Sequence, residues 1–259
     1  MVTTRVPPSM NLFLGFISWL LLCAGIVLYN SYYDKDEQPV AGLAHPPKVT
    51  LSLLVGAWIA KILGLLIAIS LNAMITFIYF MGIILSVLYS HRRCKLKSYG
   101  IVAVIFNFII GFMTFVVASS FSIIINVPIV LSGSVASGLY LAATYLMMQI
   151  HQQARDKERN DCSIVVRYGR RITLTTSLVL VSLAGLFSML TFILSGLSWQ
   201  YIALLIMYFT IVLVIGYFWK KHRGKKLSDF KIMNTLTVVS SYAANLILIV
   251  MYLKQITKN

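Results

Sequence analysis

Acidic residues are scarce in this chain: seven, against 22 lysines and arginines in 259 residues, for a formal net charge of +15. Charged residues of both signs together reach only 11%, where a soluble domain carries about 25%. That scarcity excludes an ordinary soluble globular domain. Cysteines number three, Cys23, Cys94 and Cys162, far apart in sequence. Their spacing excludes a disulfide framework and a zinc site, and Cys94 and Cys162 fall in basic loops, as expected on a reducing cytosolic side. A secretory signal is also missing. The lone N-terminal charge is Arg5, and the first apolar stretch ends in Tyr29-Asn30 rather than a small-residue cleavage site, so it is expected to remain as a helix. The short apolar-polar alternation of barrel strands is absent.

Long apolar runs are abundant. Hydrophobic residues make up 59% of the chain and the mean hydropathy is +0.86. A membrane-spanning helix needs about 20 predominantly apolar residues. Eight such spans are read at 11–30, 51–70, 72–90, 99–118, 127–150, 172–194, 199–219 and 233–254. The expected fold is all-α, a polytopic membrane bundle of about eight helices forming a single domain over 1–259. Pro46-Pro47 and Pro128 punctuate a loop and a helix start. Lys61, inside the second span, either snorkels or faces the bundle interior.

Basic residues set the orientation. They crowd loops 91–98, 151–171 and 220–231, while the connections near 71, 119–126 and 195–198 hold no Lys or Arg. The positive-inside bias puts those three loops, with loop 31–50, in the cytosol. With eight spans, both termini then fall on the other side. The net charge reflects topology and attraction to anionic lipid. Nucleic-acid binding is disfavoured, because the charges are divided among short loops without a recognised module.

The few carboxylates are not scattered. Asp34, Asp36 and Glu37 follow the first span; Asp156, Glu158 and Asp161 follow the fifth; Asp229 stands alone in a third polar loop. Asn30 and Asp34 are four residues apart, as are Gln152 and Asp156, and a helix continued through each pair puts both members on one face. Gln149 lies one turn before Gln152 and Gln153. Acidic residues at helix ends are often plain solvated boundary residues, and tyrosines there often form an interfacial belt. Two clusters on one membrane face, each with such a pair, favour a site. Carboxylate and amide oxygens suit Mg²⁺, which shares its shell with water and substrate phosphates. Mg²⁺ with Lys or Arg neutralises a diphosphate leaving group. Tyr29, Tyr32, Tyr33 and Tyr145 lie beside the clusters, where their faces would stabilise an allylic cation.

These residues resemble the UbiA superfamily of intramembrane prenyltransferases. Asn30-Ser31-Tyr32-Tyr33-Asp34, with Lys35-Asp36-Glu37 after it, is similar to the family's Asn-Asp-x-x-Asp motif. Tyr89-Ser90-His91-Arg92-Arg93-Cys94-Lys95-Leu96-Lys97 resembles its Tyr-Ser-x-Pro-Pro-x-Arg-Leu-Lys loop. Gln149 to Asp161, continuing to Tyr168-Gly169, resembles the second motif in its Gln-Ile-x-Gln-x-x-x-Asp form, and Trp219 and Asn245 fit the same pattern. The resemblance implies a helical bundle with a cavity open towards lipid, where a prenyl chain passes from a diphosphate to an acceptor with Mg²⁺. By position, the catalytic residues are Asn30, Asp34 and Asp156, and the Mg²⁺ ligands are Asn30, Asp34, Gln152 and Asp156. Lys95, Lys97 and Tyr89 would contact the diphosphate; Asp36, Glu37, Gln149 and Tyr145 are auxiliary.

The chain departs from the family pattern at several points. Ser31 stands where Asp is usual, Gln152 where Asp often occurs, and Arg92-Arg93 where two prolines are usual. Asp36, Glu37 and Glu158 are placed to compensate for the lost charges. The family's usual first helix has no counterpart before Asn30: either the protein lacks it or the sequence begins late, and acceptor binding is the least transferable part of the resemblance.

The leading expectation is a Mg²⁺-dependent prenyltransferase of the bacterial inner membrane, with its active-site loops towards the cytoplasm. Its partners would be a polyprenyl diphosphate, a lipophilic or aromatic acceptor and membrane lipids. The alternatives are a terpene cyclase using the same site and a non-catalytic prenyl-lipid-binding homologue. A transporter fits less well, since no inverted repeat or paired broken helices are evident.

Overall fold

Tertiary structure comes from a computed structural model, which describes residues 9–35, 45, 48–122, 125–196 and, beyond them, 203, 204, 207, 210, 211 and 214. Six helices are long and apolar enough to cross a membrane: α1 (Met10–Asp34), α2 (Leu51–Leu71), α3 (Ala73–Ser90), α4 (Gly100–Ser119), α5 (Val127–Glu158) and α6 (Ile164–Leu194). No β-strand occurs among the described residues. The protein is an all-helical integral membrane protein. The last two expected spans, 199–219 and 233–254, lie largely outside the described residues; the six described positions from 203 to 214 are helical. Asp36, Glu37, Trp219, Asp229 and Asn245 also lie outside them.

The chain divides into two compact units, one of them Pro8–Ser98 and the other containing everything from Tyr99 onward. In the first unit α1 packs on α2, and both touch α3. The buried positions of α1 are Gly15, Ser18, Leu22, Gly25 and Tyr29, a 3-4-3-4 spacing that makes one narrow seam. The facing seam of α2 is also small-residue rich: Ala57, Ala60, Gly64 and Ala68, with Lys61 among them. Small side chains let helix backbones approach closely, which replaces the hydrophobic drive that lipid cannot supply. At Gly64 a Cβ would overlap the Tyr79 hydroxyl and meet the Leu21 Cβ at 3.0 Å, and Ser18 Oγ donates to the Gly64 carbonyl at 2.8 Å. The opposite faces carry exposed Phe13, Phe16, Leu20, Ile62 and Leu66, as lipid-facing surfaces should.

Lys61 takes the interior alternative. Its side chain is fully buried, and its Nζ lies 4.0 Å from the Tyr29 ring centroid and 5.1 Å from that of Trp58, without a hydrogen-bond acceptor. Among the described residues, the cation is held by aromatic faces alone.

In the second unit α5 packs against both α4 and α6. The Asn126 side chain caps α5 by accepting from the Ile129 N–H at 3.3 Å, and Pro128 occupies its first turn. Ser177 Oγ donates to the Ala143 carbonyl at 2.8 Å, and Thr191 and Ser132 bond through their hydroxyls at 2.9 Å. These bonds pin α6 to α5.

The fifth and sixth helices correct the sequence reading. The expected loop 151–171 shrinks to Arg159–Ser163, because α5 runs on to Glu158 and α6 begins at Ile164. The acidic residues Asp156 and Glu158 are therefore helical rather than in a loop. The apolar run ends near Ile150, but Gln, Ala, Arg, Lys and Glu are strong helix formers, and Arg155 and Lys157 suit the negative end of the helix dipole. At about 1.5 Å per residue, the 32 residues of α5 span about 48 Å, well beyond the ~30 Å hydrocarbon core. Gly169, at φ +82°, breaks the start of α6. The connecting segment is tied back to α4, where the Gly100 N–H donates to the Cys162 carbonyl at 3.0 Å; a Cβ at Gly100 would lie 2.7 Å from that oxygen.

Candidate active site

The C-terminal turn of α1 presents Asn30 and Asp34 on one face, and Asn30 Nδ2 donates to Asp34 Oδ2 at 2.9 Å. Lys35 ends the helix in the left-handed region (φ 49°), its N–H on the Ser31 carbonyl. Two further groups reach the same pair. Ser90, the last residue of α3, donates from Oγ to Asn30 Oδ1 at 2.9 Å. Lys97 donates from Nζ to Asn30 Oδ1 at 2.8 Å and forms an ion pair with Asp34 Oδ1.

Lys97 arrives there through a compact turn. The Lys95 N–H bonds the His91 carbonyl at 2.8 Å with Lys95 at φ 39°, and a short 3-10 helix, Leu96–Ser98, carries Lys97 back towards α1. The Lys97 and Asp34 side chains are only 9% and 13% exposed, so the pair is poorly screened. An amide oxygen and a carboxylate oxygen are thus gathered around one buried cationic group. This is the donor chemistry a hard cation such as Mg²⁺ uses.

Of the residues expected in this part of the site, the structure joins Asn30, Asp34 and Lys97. Tyr89 is buried one position before Ser90. Lys95 contributes its backbone to the turn. Ser90 itself was missed by sequence reasoning, and its place in the Tyr89-Ser90 pair was the available signal. The aromatic neighbours form a row: Tyr29 and Tyr33 rings are 4.8 Å apart, Tyr32 and Tyr33 5.3 Å, Tyr33 and His91 5.3 Å.

In the second unit, Tyr145, Gln149, Gln152 and Asp156 recur at helical spacing and share one face of α5. Gln149 Nε2 donates to the Tyr145 hydroxyl at 2.7 Å, while Gln149 Oε1 is buried with no hydrogen-bond partner. Gln153 turns towards α6 instead, donating to the Val165 carbonyl at 2.9 Å. Asp156 is half-buried, and its charged neighbours are Arg155, Arg159 and Asp161. Its carbonyl accepts the Asp161 N–H at 2.9 Å, which turns the chain at the helix end. Glu158 is exposed. Among the described residues no three His, Cys, Asp or Glu side chains gather as a metal site. The oxygens available are therefore single carboxylates supported by amides.

The profile of the UbiA prenyltransferase family matches residues 1–238. A search of curated proteins returns no match. Among solved structures, a UbiA homologue from Archaeoglobus fulgidus bound to DMAPP and Mg²⁺ is 18% identical with a TM-score of 0.69, covering 97% of this chain and 92% of that one. The same homologue bound to GPP and Mg²⁺ is 17% identical with a TM-score of 0.65, covering 91% and 88%. A digeranylgeranylglyceryl phosphate synthase is 21% identical with a TM-score of 0.68, covering 98% and 90%. These likenesses are of fold. With the profile match across most of its length, the chain belongs to the UbiA prenyltransferase family.

Proposed function

We propose that this protein transfers a prenyl group from a polyprenyl diphosphate to a lipophilic or aromatic acceptor within the membrane, using Mg²⁺, and that residues 1–259 form one catalytic domain. The family supports prenyl transfer in general, and the Archaeoglobus homologue's complexes with DMAPP or GPP and Mg²⁺ support the donor class and the metal. The observation that carries the reading is the half-buried Asn30–Asp34–Ser90–Lys97 cluster at the end of apolar helices.

Asn30 Oδ1 and the Asp34 carboxylate fit the first oxygen set for the metal; Asp156, with Gln152 and the open Gln149 oxygen, fits the second. Mg²⁺ bound there would neutralise diphosphate charge and make it a better leaving group. Lys97 contacts the diphosphate oxygens through charge-assisted hydrogen bonds, assisted by Lys95 and Tyr89. The bond from the prenyl carbon to the diphosphate oxygen breaks, and its electron pair leaves with the diphosphate. An aromatic face beside the first cluster stabilises the allylic cation. The acceptor forms the new bond to that carbon, and its proton passes to a diphosphate oxygen or to a carboxylate such as Asp36 or Glu37. Apolar surroundings keep out water that would capture the cation. The membrane is the bacterial inner membrane, with the site towards the cytoplasm.

The test is diphosphate release by the detergent-purified protein, given prenyl diphosphates of several chain lengths with Mg²⁺ or with EDTA. Release that stops in EDTA is expected. Release indifferent to EDTA, or none with any donor from folded protein, overturns the reading.

A further inference from the structure

A cavity of about 570 Å³ lies within the Pro8–Ser98 unit, lined by Tyr32, Tyr33, Leu54, His91, Arg92 and Arg93. It shares no lining residue with the Asn30–Asp34–Ser90–Lys97 cluster. Its size falls in the range of small-molecule sites, about 300–1,000 Å³.

Among the described residues, the polar lining is Tyr32, Tyr33, His91, Arg92 and Arg93, all able to donate hydrogen bonds. Both arginines are exposed, and the Lys97–Asp34 ion pair involves neither. The Arg93 N–H donates to His91 Nδ1 at 3.3 Å. Neutral His91 with Nδ1 accepting carries its proton on Nε2 and so offers another donor. Two adjacent guanidinium forks match the oxygens of a phosphate, which they can grip bidentately. The rest of the wall is apolar or aromatic: Leu54 from α2, and the edge-on Tyr32–Tyr33 pair from α1, with Tyr33 in turn 5.3 Å from His91. Tyr32 and Tyr33 sit in the last turn of α1, Leu54 in the first turn of α2, and His91, Arg92 and Arg93 just past the end of α3. A positive-inside signal requires charge only; it does not require two arginines beside an aromatic wall over a cavity.

We propose that this cavity is a second anion site, which takes the phosphomonoester head of a membrane amphiphile with its apolar body along Leu54 and the two tyrosines. The proposal stands apart from the prenyl-transfer reading, and the two are tested separately.

The experiment is native mass spectrometry of the detergent-solubilised full chain with equimolar phosphatidic acid, phosphatidylglycerol and phosphatidylcholine as probes. A second titration uses a non-hydrolysable prenyl thiodiphosphate with Mg²⁺. The variants are R92Q/R93Q and D34N, with folding checked by thermal unfolding. The wild type should retain phosphatidic acid about tenfold over phosphatidylcholine, about 1.4 kcal/mol, and clearly over phosphatidylglycerol. R92Q/R93Q should lose that preference yet keep the thiodiphosphate; D34N should do the reverse. Equal retention of the two anionic lipids means bulk electrostatics and overturns the site, as does unchanged phosphatidic acid binding in R92Q/R93Q. Loss of both probes in R92Q/R93Q makes the two sites one and also overturns it. Inorganic phosphate competing as tightly as the lipid identifies a soluble ligand and overturns the amphiphile. A wild type that binds phosphatidic acid but no thiodiphosphate leaves this site standing and counts against prenyl transfer alone.

Discussion

At the end of α1, Asn30, Asp34, Ser90 and Lys97 satisfy one another without any ligand. On α5, built with the same helical spacing, the Gln149 amide nitrogen has Tyr145, but its oxygen is buried and unpartnered. The first cluster is thus enforced by folding itself, because Lys97 already stands as a cation between two oxygens. The second retains an acceptor that no described residue satisfies and that a cation, a water or a substrate group can. An unsatisfied buried polar group costs about 1–3 kcal/mol, a cost that a ligand can relieve. Stability and function are therefore joined at the first cluster and separable at the second.

The largest effect is expected from Asp34→Ala, which leaves the Lys97 ammonium buried without its counter-charge. Unfolding in detergent should show a loss of about 3–5 kcal/mol, and Mg²⁺-dependent diphosphate release should fall by about 100-fold or more. Asp34→Ala combined with Lys97→Met should recover much of the stability and none of the activity. A single variant as stable as the parent would show that the pair does not hold this end of α1.

Asn30→Leu comes next. It removes the amide that Ser90 and Lys97 bond, and a destabilisation of about 2–3 kcal/mol is expected in the same unfolding measurement. Gln149→Leu sharpens the contrast: stability should stay level or rise by about 1 kcal/mol as the orphaned oxygen disappears, while diphosphate release drops about tenfold or more. If Gln149→Leu destabilises as much as Asn30→Leu, the two clusters do not differ in the way described. The smallest effect is a thermal shift. Mg²⁺ with an unreactive diphosphate should raise the unfolding midpoint of the wild type by a few degrees through linkage, and by less in Gln149→Leu.

The first four helices lie within a few residues of the sequence reading, because there the apolar run and the helix end together: at Asp34 beside a left-handed Lys35, and at Asn72, which caps α3 by accepting from the Ile75 N–H. The reading failed past Ile150, where hydropathy reports the edge of lipid and says nothing of helix propensity. Asn30 with Asp34, and Gln152 with Asp156, were legible as i, i+4 pairs, since that spacing is a property of the helix alone. The bond from Ser90 and the return of Lys97 were not derivable from local spacing. They depend on how α3 packs on α1 and on a turn whose closure requires Lys95 in a left-handed conformation.

Lys61 has a consequence for how the protein enters its membrane. A lone lysine at the centre of an inserting helix costs about 2.5–3.5 kcal/mol, and a desolvated cation over an aromatic face recovers about 2. One of the two rings over Lys61 belongs to α2 itself, Trp58, but the nearer one, Tyr29, belongs to α1. The second helix therefore has its charge answered only once the first is beside it. The pair behaves as a hairpin that partitions into lipid together, with Tyr29 acting as the chaperone of a charge that could not easily make the crossing alone.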